Sequence, residues 1–141
     1  MNIPPPVAKL NHRTPVELRF NDFDMLGHLN NAVYLELADL AKARFMQELM
    51  GPEIDWRNLD LAIVNINSNF HIQILPHDRV AVLTGVRKIG TKSFTLEQRI
   101  VGAEDDRVFM TSTSVFCAFD PKEMISLPLY PALRSALEKE L

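Results

Sequence analysis

One hundred and forty-one residues supply one domain with a real core and leave no room for a catalytic domain plus a second large module. Fifteen Lys plus Arg against eighteen Asp plus Glu give a formal net charge of −3, which argues against a nucleic-acid binder working through a broad basic surface. The single cysteine, Cys117, excludes an intrachain disulfide and a Cys-based zinc cluster, and it makes the cytoplasm the expected location.

The chain opens with M-N-I-P-P-P-V-A-K-L. No apolar stretch flanked by basic residues is present there, and three consecutive prolines break a helical signal sequence. Residues 1–12 are therefore expected as an extended arm, ahead of one domain over residues 13–141. No apolar run approaches the roughly 18 residues needed to span a bilayer, so no membrane partner is expected.

From Thr14 to Asn21, Val16, Leu18 and Phe20 alternate with Glu17 and Arg19, as in a half-buried strand. The period then changes. Tyr34, Leu37, Ala38, Ala41, Phe45 and Leu49 recur at three- and four-residue steps, which predicts a helix from Asn31 to Met50, about 30 Å long. Asn30 is its expected N-cap and Gly51-Pro52 its stop.

An irregular connection containing Trp56 leads into four β-like segments, Leu61 to Leu75, Arg79 to Ile89, Lys92 to Val101 and Arg107 to Phe119, rich in β-branched and aromatic residues. Their short connections cannot make parallel crossovers, so the product is an antiparallel meander. Tyr130 to Leu141 reads as a short terminal helix. The fold class is therefore α+β: one long helix on a curved five-stranded antiparallel sheet, with a short C-terminal helix. One helix covers one face, and the open edges predict a second copy of the chain.

The chemistry concentrates in D-F-D-M-L-G-H-L-N-N-A-V-Y, Asp22 to Tyr34, between the first strand and the long helix. A helix N-terminus offers unpaired N–H groups and the positive end of the macrodipole, which stabilise a developing oxyanion. Asp24 stands just before it as a candidate base or nucleophile; its bland reading is a turn aspartate. Asp22 reads as structural, and Gly27 as a permissive backbone or a place of close substrate approach. His28 is a candidate proton carrier or a turn histidine. Asn30 and Asn31 read first as helix caps and second as substrate contacts. Tyr34 reads as core first and as a substrate contact second.

His12, His71 and His77 show no metal-ligand spacing, and the serines lack a G-x-S-x-G elbow, so no metal, no cofactor and no serine nucleophile are expected. Arg87, Lys88 and Lys92 flank a hairpin, either as solvated charges or as a meeting place for phosphates.

The run R-F-N-D-F-D-M-L-G-H-L-N-N-A-V-Y-L-E-L-A-D-L-A-K-A-R-F resembles the start of hotdog-fold thioesterases of the 4-hydroxybenzoyl-CoA thioesterase type. L-P-H-D-R-V and K-I-G-T-K-S-F resemble that family's later proline turn and hairpin. The resemblance covers roughly residues 13 to 120. It implies hydrolysis of acyl-CoA, or of acyl-carrier-protein thioesters, by a homodimer or homotetramer with active sites between subunits. Carried over by position, the catalytic carboxylate falls on Asp24 and the carbonyl-polarising amide near Asn31. His28 matches a histidine of plant acyl-carrier-protein thioesterases, but Leu26 stands where they have asparagine. The rivals are a hydratase or dehydratase on acyl thioesters and a non-catalytic acyl-thioester binder.

Overall fold

The computed structural model describes residues 2–52 and 58–141; Trp56 lies outside them. In chain order come β1 (His12–Pro15), a single 3-10 turn (Phe20–Asp22), α1 (Asn31–Met50), β2 (Leu61–Phe70), β3 (Val80–Ile89), β4 (Ser93–Gly102), β5 (Val108–Asp120), β6 (Ile125–Ser126) and α2 (Pro131–Glu138). The sheet is antiparallel with spatial order β1-β3-β4-β5-β2, and the two-residue β6 adds to β5. Five strands thus form the continuous path and a sixth short one joins it, where the sequence predicts five.

Helix α1 occupies the predicted span. The Asn30 side chain accepts from Ala32 N at 3.0 Å, and Gly51 follows the last turn at φ 76°, a value that favours glycine. Its buried stripe includes Val33, Tyr34, Leu37, Ala38, Ala41, Phe45 and Met46, and the alanines let the helix lie close over the sheet. Lys42 of the same helix is buried with its ammonium 3.2 Å from Asp39; its stem packs while the charge keeps a partner.

The first strand departs from expectation. β1 pairs with β3 only over His12–Pro15, and beyond it the chain leaves the sheet. Val16 and Leu18 still pack inward against the core, so the alternation is real but no ladder follows it. Phe20 is turned out to solvent, because the Asp22 carboxylate accepts from Arg19 N at 2.7 Å and folds the chain into the 3-10 turn. β2 ends at Phe70, five residues before the predicted limit. There His71 N and Ile72 N both donate to Phe109 O, at 2.8 and 3.3 Å, and the register ends on that shared acceptor.

The core has two parts along α1. Its first half packs with Leu29, Ile74, Val80, Val82, Ile100, Phe109 and Met110; its second half packs with Val86, Phe94, Leu96, Phe116 and the α2 residues Leu133 and Leu137. A polar row crosses the sheet beneath the helix between them. Strand register aligns His12 with Thr84, Thr84 with Gln98, Gln98 with Ser112 and Ser112 with Ser68. Gln98 Nε2 donates to Ala38 O of α1 at 3.0 Å and to Thr84 Oγ1 at 3.1 Å, and the hydroxyls of Ser68 and Ser112 are 2.9 Å apart.

The N-terminal arm lies on the opposite face of the sheet. Val7 N and Ala8 N both donate to Glu97 Oε1, at 3.1 and 3.0 Å, and Arg99 donates to Pro4 O. Gly85 makes the approach feasible, since a Cβ there would stand 2.2 Å from the Lys9 carbonyl oxygen. Three prolines keep this stretch extended and lower the entropy lost when it docks.

Candidate active site at the start of the long helix

A short loop carries the candidate residues, and backbone bonds hold both of its ends. Phe23 and Leu29 form an isolated antiparallel bridge, and Leu29 N donates to Ile74 O at 3.1 Å. Asn30 N donates to Asp22 O at 2.9 Å. The segment between Asp24 and His28 is therefore a tight turn tied to both the 3-10 turn and the strand end beyond β2. Gly27 sits in it at φ 79°, so this position needs glycine for its backbone; nothing crowds the place of a Cβ.

Asp24 organises the turn. Its Oδ1 accepts from Leu26 N at 2.9 Å and from His28 N at 3.2 Å, while Asp24 N donates to His28 O at 2.9 Å. These bonds use one carboxylate oxygen. Among the described residues the other, Oδ2, has no partner, and the residue is exposed. The two oxygens of one side chain thus differ: Oδ1 holds the turn, and Oδ2 is left over from it.

At the helix start the Asn30 side chain takes Ala32 N, and Val33 N donates to Asn30 O at 2.8 Å. This leaves Asn31 N as the N-terminal amide with no partner among the described residues, at the positive end of a 20-residue helix. Asp24, His28, Leu29, Asn30, Asn31 and Gln73 line one recess of about 300 Å³. An acid, an imidazole and a free amide therefore share a single solvent-open hollow.

Asp22 lies behind this hollow. It is buried, and the Arg19 guanidinium donates to it at 2.8 and 3.2 Å. That pairing holds its carboxyl below the ordinary range against the opposing effect of burial. A depressed carboxylate contributes stability that is present above its unfolded pKa, about 3.9, and is lost as pH falls through the folded value. Arg19→Met should therefore lower the thermal midpoint at pH 7 by a few degrees and flatten its decline in acid. Parallel melts between pH 7 and pH 3 check this, and unchanged acid sensitivity would contradict it.

Tyr34 is in the core. Its hydroxyl accepts from Ile74 N at 3.0 Å and donates to Ile72 O at 3.5 Å, and burial pushes its pKa up. Its ring meets Phe70 edge-on with centroids 5.0 Å apart. It supports Gln73 from behind, since Ile72 and Ile74 flank that residue. Gln73 is the recess residue that sequence reasoning missed; no local pattern marks it, because the Leu29–Ile74 pairing brings it there from 42 residues beyond Asn31.

Arg87 and Lys88 are not brought to the recess. They lie at the far end of β3 from Val80, roughly 23 Å along the strand, and Arg87 stands 3.8 Å from Glu97 on the arm-covered face. Asp78 serves a structural role: Leu75 N donates to its Oδ2 at 2.8 Å and Arg107 pairs with its other oxygen at 3.2 Å, which fixes the proline turn that leads into β3.

Comparison with known proteins agrees with this architecture. The profile of the thioesterase-like superfamily matches residues 18–137. The long-chain acyl-CoA thioesterase FadM of Escherichia coli K12 is 28% identical over 130 residues, covering 90% of this chain and 97% of that one. A thioesterase from Thermus thermophilus, solved with coenzyme A and Zn, is 26% identical with a TM-score of 0.78, over 90% of this chain and 91% of its own. The probable thioesterase YbaW of Escherichia coli is 25% identical with a TM-score of 0.75, over 92% of this chain and 98% of its own. The fold is the hotdog fold of these enzymes.

Proposed function

Because this chain belongs to the thioesterase-like superfamily, we propose that it hydrolyses acyl-CoA thioesters with Asp24 as the reacting carboxylate. The observation that carries the reading is the recess that Asp24 and Asn31 both line, the first with an oxygen and the second with a backbone N–H that have no partner among the described residues. The thioester carbonyl oxygen accepts from Asn31 N–H, and the helix dipole stabilises the negative charge that develops on it. Asp24 either takes a proton from the attacking water or attacks the carbonyl itself, forming an anhydride that water then opens. The C–S bond breaks, and the CoA thiolate leaves with little need for acid assistance. His28 is the proton carrier of the recess, with Gly27 and Asn30 shaping the approach.

A partner subunit completes the site in this reading. β2 is an edge strand of ten residues, and Ile63, Val64 and Ile66 on it are exposed at 41, 62 and 44%. Such an edge pairs with its own copy across a two-fold axis, giving a homodimer from which a tetramer can be built. Arg87 and Lys88, remote from the recess of their own protomer, are then available only to CoA phosphates bound at another. Among the described residues no helix is long and apolar enough to cross a membrane, and a cytoplasmic enzyme is the matching assignment.

The test is a thiol-release screen of short, long and aromatic acyl-CoAs with the purified protein. Release of free CoA from at least one class is expected. A change in enoyl absorbance without thiol would instead identify a hydratase, and tight CoA binding without turnover a non-catalytic binder.

A further inference from the structure

The polar row beneath α1 contains more hydrogen-bonding capacity than the protomer uses. Gln98 and Ser114 are each 1% exposed, yet among the described residues Gln98 Oε1 and Ser114 Oγ have no hydrogen-bond partner. The orientation of the Gln98 amide is fixed, because Ala38 O can only accept and so must face Nε2. Its Oε1 is then a buried acceptor without a donor, a state that ordinarily costs stability.

Both orphans lie on the sheet face that meets the helix. Ser114 is two residues along β5 from Ser112, which is opposite Gln98 and bonded to Ser68, so the two serines share a face. On β2 the same face carries Ile66, Ser68 and Phe70, with Ile66 and Phe70 exposed at 44 and 43%. α1 therefore leaves a strip of sheet uncovered beside it. The strip begins at the Tyr34–Phe70 contact near the recess and reaches Ser68 two residues later.

Resting on the thioesterase reading above, we infer that this strip receives the acyl chain and that Gln98 with Ser112 and Ser114 recognises a hydroxyl group carried at its far end. A hydroxyl is the matching chemistry, since it donates to Gln98 Oε1 while accepting from a serine. The reach follows from the helix. Asn31 N binds the carbonyl and Ala38 O marks the row, seven residues on, so the two are about 10 Å apart along the axis. The preferred substrates are medium-chain acyl-CoAs hydroxylated near the terminus. A plain alkyl chain would cover the same orphans without satisfying them, and sites built to bond a hydroxyl discriminate strongly against the analogue that lacks it.

The experiment compares octanoyl-CoA, β-hydroxyoctanoyl-CoA and ω-hydroxyoctanoyl-CoA by thiol release, in the wild type and in Ser114→Ala. The wild type is expected to favour the ω-hydroxy ester over octanoyl-CoA by about tenfold or more in kcat/KM, with no such gain for the β-hydroxy ester. Ser114→Ala should bring that ratio toward one. It deletes an unpaired hydroxyl, so its thermal midpoint should hold or rise, which separates specificity from misfolding; Gln98→Leu, which also loses the Ala38 bond, gives the second variant. Equal efficiency on octanoyl and ω-hydroxyoctanoyl esters, or a preference that survives both substitutions, would overturn the inference alone. No thiol from any acyl-CoA would overturn the hydrolase reading and this inference with it.

Discussion

Asp24→Asn should lower kcat for acyl-CoA hydrolysis by about 10²- to 10⁴-fold, the range for removing a positioned base. The substitution is chosen for what it keeps. An asparagine Oδ1 can accept from Leu26 N and His28 N as the aspartate does, so the turn and the Asn31 amide stay where they are. What disappears is the negative charge and the carboxylate oxygen that the turn does not use. Binding should change far less than turnover, so the loss falls on kcat with KM within a few-fold. Asp24→Ala should be equally inactive but also less stable, because two backbone amides lose their acceptor. Thiol release and thermal melts on both variants measure this. Full turnover by a folded Asp24→Asn protein would remove the carboxylate from the mechanism.

The second large effect concerns β2. Val64→Glu combined with Ile66→Glu should convert the protein to monomers and remove most of its hydrolytic activity. In an antiparallel pairing of one strand with its own copy, residues at equal distances on either side of the two-fold axis face each other, so the carboxylates introduced on one copy are brought close to those on the other. An uncompensated buried charge costs about 3–5 kcal/mol, enough to weaken a dimer by two or more powers of ten. Both side chains are already exposed in the protomer, so circular dichroism should be unchanged. Sedimentation of wild type and variant decides the matter. A monomeric wild type at assay concentrations, still active, would refute the edge pairing and the shared site.

The long helix was legible because its signals are local: a periodic apolar stripe, Asn30 before it and Gly51-Pro52 after it. The candidate turn was legible for the same reason, since Asp24, Gly27, His28 and Asn31 lie within eight consecutive positions. The end of the first strand was not. Alternation predicts which residues face inward, as Val16 and Leu18 do, but ladder pairing depends on β3, 68 residues away at Thr14↔Val82. Gln73 was hidden for a comparable reason, being delivered by contacts of its neighbours Ile72 and Ile74. Thr84, Gln98, Ser112 and Ser68 look like ordinary strand polarity one at a time, and only the register of four strands turns them into a row. Glu97 likewise shows nothing in sequence of the arm it holds.

The division of the core into two packed groups along α1 bears on how the molecule comes apart. Leu29 and Tyr34, which hold the acid turn, belong to the first group, whereas α2 contributes Leu133 and Leu137 to the second. Local opening in proteins proceeds through such cooperative units. Amide exchange of α2 and of the second half of α1 should therefore report one unit, and that of Leu29, Ile74 and the first turns of α1 another. Loosening at the α2 end would then leave the turn that holds Asp24 protected, so thermal fraying at one end of the long helix need not reach the proposed site at the other.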